Sequence, residues 1–148
     1  MSENPAELKD SNVKQSYKMP TAEELLNGRP AVQQVQVEYS NYGYCFTLRQ
    51  IIDANVFGEI GRQAGVYTKV EFTNPLTKEK FYLDFNQAYS YAQLQQSLVD
   101  PDDVSKHPFT IKQLVEIGCI HGSLIIDLKW RASKLSELDA QVEELKND

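Results

Sequence analysis

Several things are scarce in this chain, and each scarcity closes a class of explanation. No run approaches the roughly 18 consecutive apolar residues that a membrane span needs. There are only two cysteines, Cys45 and Cys119. That is too few for a disulfide scaffold, so both are expected as buried thiols in a reduced compartment. Positive charge is short, with a net charge of −6. Lysine and arginine alternate with acids and form no basic stripe. Affinity for nucleic acid comes mainly from phosphate neutralisation, so a nucleic-acid partner is disfavoured.

Chemical signatures are equally sparse. Gly58, Gly61 and Gly65 lack the Lys-Ser/Thr ending of a phosphate loop. Cys119-Ile120-His121 supplies two donors in one span, but not the paired spacings of a structural zinc site. Asp100, Asp102 and Asp103 lack the turn glycine and terminal glutamate of a calcium loop. No catalytic residue, cofactor or metal is assigned. The one nucleophile-and-base pair within local reach is Cys119 with His121. A depressed thiol pKa would be needed to activate it.

What is present is a globular composition, 41% hydrophobic with eight Tyr and six Phe. The length suits one ordinary domain with its own core. Met1 to Pro20 is polar and lacks the apolar stretch of a secretory signal, so a cytoplasmic location is expected. Residues 1–30 read as a flexible N-terminal arm with a short helix. That helix starts at the capping box Thr21-Ala22-Glu23-Glu24 and ends at Gly28. Residues 31–148 read as a single α+β domain.

Within that domain Val35, Val37 and Tyr39 alternate with polar residues, as in a half-buried strand. Ser40 to Gly43 is a turn. Two segments then share a spelling: Phe46-Thr47-Leu48-Arg49-Gln50-Ile51-Ile52-Asp53 and Phe109-Thr110-Ile111-Lys112-Gln113-Leu114-Val115-Glu116. Three positions are identical and five conservative. Both predict a helix start, with Thr47 or Thr110 as cap and Phe46/Ile51 or Phe109/Leu114 as a hydrophobic staple. Gly65 would stop the first helix, and Gly118 and Gly122 the second.

Val66 to Phe85 predicts a hairpin around a turn at Asn74–Glu79. Asn86 would cap a helix to about Leu98, with Tyr91, Leu94 and Leu98 inward. Leu124, Ile126, Leu128 and Trp130 alternate, which predicts a strand over Ser123 to Trp130. An amphipathic helix over 131–148 carries Leu135, Leu138, Val142 and Leu145 as a seam. The expected fold is therefore α+β. It has a mostly antiparallel sheet of three or four strands, helices packed on one face, and the amphipathic C-terminal helix.

The absent chemistry and the aromatic content favour a small acidic, non-enzymatic protein-interaction module of adaptor, inhibitor or chaperone type, with a phage- or mobile-element-like character. Its partner would be another protein, met through Leu135, Leu138, Val142, Leu145, Tyr42 and Tyr44. A homodimer through the C-terminal helix is one such association. Two alternatives stand beside it. One is a transcription regulator with a degenerate helix-turn-helix over 109–130. The segment after its first helix, however, reads as a strand poor in groups that reach bases. The other is a small-ligand or nucleotide-binding protein using the Tyr42/Tyr44 region.

Overall fold

The computed structural model describes residues 18–28 and 31–138. The chain divides into two compact units, Met1–Ala31 and Val32–Asp148. The first contains helix α1 (Ala22–Asn27). The expected capping box is formed: the Thr21 hydroxyl accepts from the Glu24 amide and Glu24 accepts from the Thr21 amide. None of its residues is buried.

The second unit is α+β. Its three-stranded antiparallel sheet has the order β1 (Gln34–Tyr39), β2 (Tyr44–Arg49), β5 (Leu98–Val99). A separate two-stranded ribbon pairs β3 (Phe72–Thr73) with β4 (Lys80–Phe81). Four helices complete it: α2 (Ala54–Tyr67), α3 (Phe85–Ser97), α4 (Ile111–Ile120) and α5 (Gly122–Leu135). No described helix is long and apolar enough to cross a membrane.

Strand β1 lies as its alternation requires. Val35 faces across to Leu48, Val37 to Phe46 and Tyr39 to Tyr44. These six share one side of the hairpin, with Val37 and Leu48 buried, and the chain turns at Gly43, whose φ of 70° suits glycine. Val37, Leu48 and Leu98 meet Leu94, Leu114, Leu124, Ile125, Leu128 and Ala132 in one core cluster. A second cluster gathers Ile51, Ile60, Ala64, Phe72, Leu83, Ala88, Ala92, Ile111 and Val115 under the ribbon. Tyr91 packs against both.

The first copy of the repeated segment is not a helix start. Phe46 to Arg49 is strand β2, and the helix begins at Ala54, capped by Asp53 rather than Thr47. Tyr44, Phe46 and Leu48 alternate with Cys45, Thr47 and Arg49, and β1 supplies a partner for every residue of β2. Pairing outweighs a local capping preference. Gly65 does not end α2, which runs on to Tyr67 with Thr68 as its cap.

The ribbon turns where expected, with the Asn74 side chain accepting from the Leu76 and Thr77 amides. Its strands, however, are two residues each, because Val66 belongs to α2. Helix α3 is capped two residues earlier than expected. Asp84, not Asn86, holds the Gln87 amide in a capping box.

The largest correction concerns Ser123 to Trp130, which is helix and not strand. The same residues carry two periods. Leu124, Ile126, Leu128 and Trp130 alternate, while Leu124, Ile125, Leu128 and Ala132 follow helical spacing. The second set is buried, and Ile126 and Trp130 are 69% and 58% exposed. Helix α5 then ends at Leu135 with Ser136 as its cap, so no single helix runs from 131 to 148. Val142 and Leu145 lie outside the described residues.

Candidate functional site

A concave feature of the second unit lies between the sheet and the α4–α5 pair. It is a cavity of about 530 Å³. Phe46, Leu98 and Phe109 line it from the sheet side and the loop before α4. Leu114 and Ile117 come from α4, and Leu124, Ile125 and Leu128 from α5. Gly43, Tyr44, Cys45 and His121 complete the lining, and the last three are exposed. The buried leucines therefore form the floor, and the Tyr44–His121 side forms the mouth.

Each wall has a local cause. Leu114 and Ile117 sit three apart on α4, and Leu124, Ile125 and Leu128 occupy one face of α5. Helix α4 is fixed at its start by the second copy of the repeated segment. There the Thr110 hydroxyl accepts from the Gln113 amide at 3.1 Å, and Gln113 accepts from the Thr110 amide at 2.9 Å. Phe109 and Leu114 join the same cluster, as the staple predicted. The helices meet at a single residue. His121 donates its amide to the Ile117 carbonyl at 2.7 Å, and its carbonyl accepts from Ile125 at 3.1 Å. Two helices thus hold the His121 backbone.

Aromatic rings dominate the mouth. Tyr42 and Tyr44 stack with centroids 5.6 Å apart and planes 19° apart. Tyr42 also stands perpendicular to the His121 ring, at 5.4 Å and 81°. Tyr44, Phe46 and Phe109 continue as a run, each 6.4 Å from the next. Tyr39 leads away from the cavity: its hydroxyl donates to Asp127 Oδ2 at 2.6 Å, and Arg131 Nε donates to the same oxygen at 2.7 Å. These contacts tie β1 to α5.

The structure separates the residues assigned to interaction. Tyr42 and Tyr44 stand together at the cavity mouth, 39% and 54% exposed. Leu135 packs inward against the first core cluster, and Leu138 is 81% exposed beyond the end of α5. They form no common seam. The apolar surface of α5 is instead Ile126 and Trp130, one turn apart, which alternation had placed on a strand.

The cysteines also differ from expectation. Cys45 is exposed on β2 opposite Glu38, at the rim of the cavity, and Cys119 is half-buried. Burial, then the charge of Glu116, pushes the Cys119 thiol up. That direction is opposite to an activated nucleophile. Among the described residues no three His, Cys, Asp or Glu side chains converge on a common point as a metal site requires.

The sequence singles out Tyr42 and Tyr44 but does not reveal the cavity. Its far wall is built from residues 123–128, which were expected to be a strand. Helical spacing of Leu124, Ile125 and Leu128 was the available signal.

Compared with known protein families, with curated proteins and with solved structures, the chain matches none.

Proposed function

We propose that this protein binds a small apolar molecule in the cavity between its sheet and helices α4 and α5. One observation carries the proposal: about 530 Å³ of space lined by apolar side chains, with His121 and Tyr44 as polar groups at one end. Small-molecule sites typically fall between about 300 and 1,000 Å³, with few polar groups that fix orientation. Protein interiors otherwise pack with voids no larger than a water molecule. The lining contains no lysine or arginine. A phosphate would find no cation there, so an apolar ligand suits the site better than a nucleotide. The protein would act as a non-enzymatic binding protein of the cytoplasm.

Naphthalene is a suitable first probe, since a ligand that binds only the native state raises the melting temperature. The wild-type chain should show a rise that grows with naphthalene concentration. Ile117→Phe, which fills the cavity from a half-buried position, should show none. Equal behaviour of the two proteins, or no rise in either, would remove the proposal.

A second reading rests on the outer face of α5. Exposed Trp130 and Ile126 lie beside Arg131, and tryptophan and arginine are frequent anchors of protein interfaces. This favours the protein-interaction reading, including a homodimer, with the contact on α5 rather than a terminal seam. Trp130→Ala should then shift the sedimentation coefficient of a self-associating sample towards the monomer. DNA binding is less well supported. Helices α4 and α5 do follow one another, but His121 alone connects them. Helix-turn-helix pairs use a turn of about three or four residues. The outward residues of α5 also include Asp127 along with Arg131.

A further inference from the structure

We propose that the cavity's ligand is an uncharged aromatic molecule carrying one hydrogen-bonding group directed at His121. The inference rests on the cavity being a ligand site and specifies what it takes. Three features of the lining select this class.

The first is charge. None of the lining residues is Asp, Glu, Lys or Arg. Arg131, on the same helix as the far wall, is already paired with Asp127. A carboxylate drawn past His121 at the mouth and in among the apolar walls would lose its hydration with no charged side chain beside it, which is costly. A neutral ligand meets no such penalty.

The second is the aromatic wall. Tyr44 and Phe46 are nearly perpendicular, at 88°, and Phe46 and Phe109 are tilted by 45°. Rings in this run offer both faces and edges. A planar aromatic ligand can stack on a face or meet an edge, geometries worth more than area burial alone. An alkyl chain of equal size gains only the burial.

The third is His121. Its ring nitrogens make no hydrogen bond among the described residues, and its only ring contact is with Tyr42. Its backbone is clamped by hydrogen bonds to Ile117 and Ile125. The imidazole can accept from or donate to a ligand hydroxyl at the mouth. Rings would then lie against the half-buried Phe46, Phe109 and Ile117, with the polar atom outward.

Four probes of related size test this on the full chain: 1-naphthol, naphthalene, 1-naphthoate and decanol. Dissociation constants are measured for the wild type, His121→Phe and His121→Gln. In the wild type, 1-naphthol is expected to bind about fivefold more tightly than naphthalene, the worth of one net hydrogen bond. His121→Phe should erase that difference and His121→Gln should keep part of it. Naphthoate and decanol should both be weaker than 1-naphthol. Tightest binding by naphthoate or decanol would overturn the ligand class. Equal affinity for naphthol and naphthalene, unchanged by either variant, would overturn the role of His121. Both of those outcomes leave the cavity as a ligand site. Failure of all four probes to bind would remove the cavity reading and this inference together.

Discussion

Gly118 sits in the last turn of α4, where helix propensity alone would favour alanine. A Cβ there would lie 2.5 Å from the Tyr91 hydroxyl and 3.6 Å from Ile125. Tyr91 cannot easily yield, because Lys129 Nζ lies 3.3 Å from its ring centroid on α5. Gly118→Ala should therefore destabilise the protein, by about 1–3 kcal/mol as overpacked sites do. Gly61 in α2 faces open space. Gly61→Ala should gain about 0.5–1 kcal/mol from propensity. Chemical denaturation of the two variants checks the opposite signs. Lys129 itself titrates low, since burial pushes its ammonium from 10.5 down to about 8. Between those values the unfolded chain holds a proton that the native one has lost, so stability rises with pH across that window. Lys129→Met should flatten the rise, as read from denaturation midpoints at either end. Tyr39 and Asp127 set the limits on both sides. Burial and then the Asp127 hydrogen bond push Tyr39 up to about 12. Its stabilisation is complete below 10 and is lost as pH climbs towards 12. The Tyr39 and Arg131 hydrogen bonds hold Asp127 below 3.8, so its contribution is present above 3.8 and fades as acid protonates it. Tyr39→Phe should narrow the stable pH range at both ends.

At the scale of elements, the twin Phe-Thr-x-x-Gln segments show how far a local signal reaches. At Thr110 the capping box forms as spelled, because nothing else competes for those residues. Thr110→Ala should cost about 1 kcal/mol, measurable by urea denaturation. At Thr47 the same spelling is overridden. Val35, Val37 and Tyr39 need a strand partner, and Tyr44 to Arg49 provides it through matched alternation. No window confined to residues 46–53 contains that information. The α5 segment failed for a different reason. Leu124 and Leu128 satisfy both period two and helical spacing, so the decision rests on which of Ile125 or Ile126 is buried. Packing against Leu114 and Leu94 settles it for Ile125. Strand β1, the turns, the α1 and α4 caps and the α+β class were legible because each rests on short-range chemistry. The cavity was not legible, since it depends on α5 being a helix and on β2 being a strand. Tyr42 and Tyr44 could be singled out by composition, but their stacking at its mouth depends on the hairpin.

Among the described residues the second unit gathers two clusters of buried side chains around Tyr91, with the first bordering the cavity beside the sheet. Packing closes around Phe72 and leaves Phe46 and Phe109 half-buried beside the cavity. Phe72 lies between Tyr67 and Phe81, at 6.2 and 5.8 Å, and is 1% exposed. Phe72→Ala should cost about 3–5 kcal/mol in denaturation experiments. Phe109, half-buried at the cavity, should cost less when truncated, yet its loss should weaken ligand binding. The most direct test of the central claim is residue-resolved amide chemical shifts of the full chain titrated with 1-naphthol. Saturable shifts should concentrate at Tyr44, Phe46, Phe109, Ile117, His121 and Leu124, with the second cluster around Phe72 unmoved. Shifts that do not saturate, or that centre on Trp130 and leave those positions unchanged, would contradict a ligand site between the sheet and α4–α5.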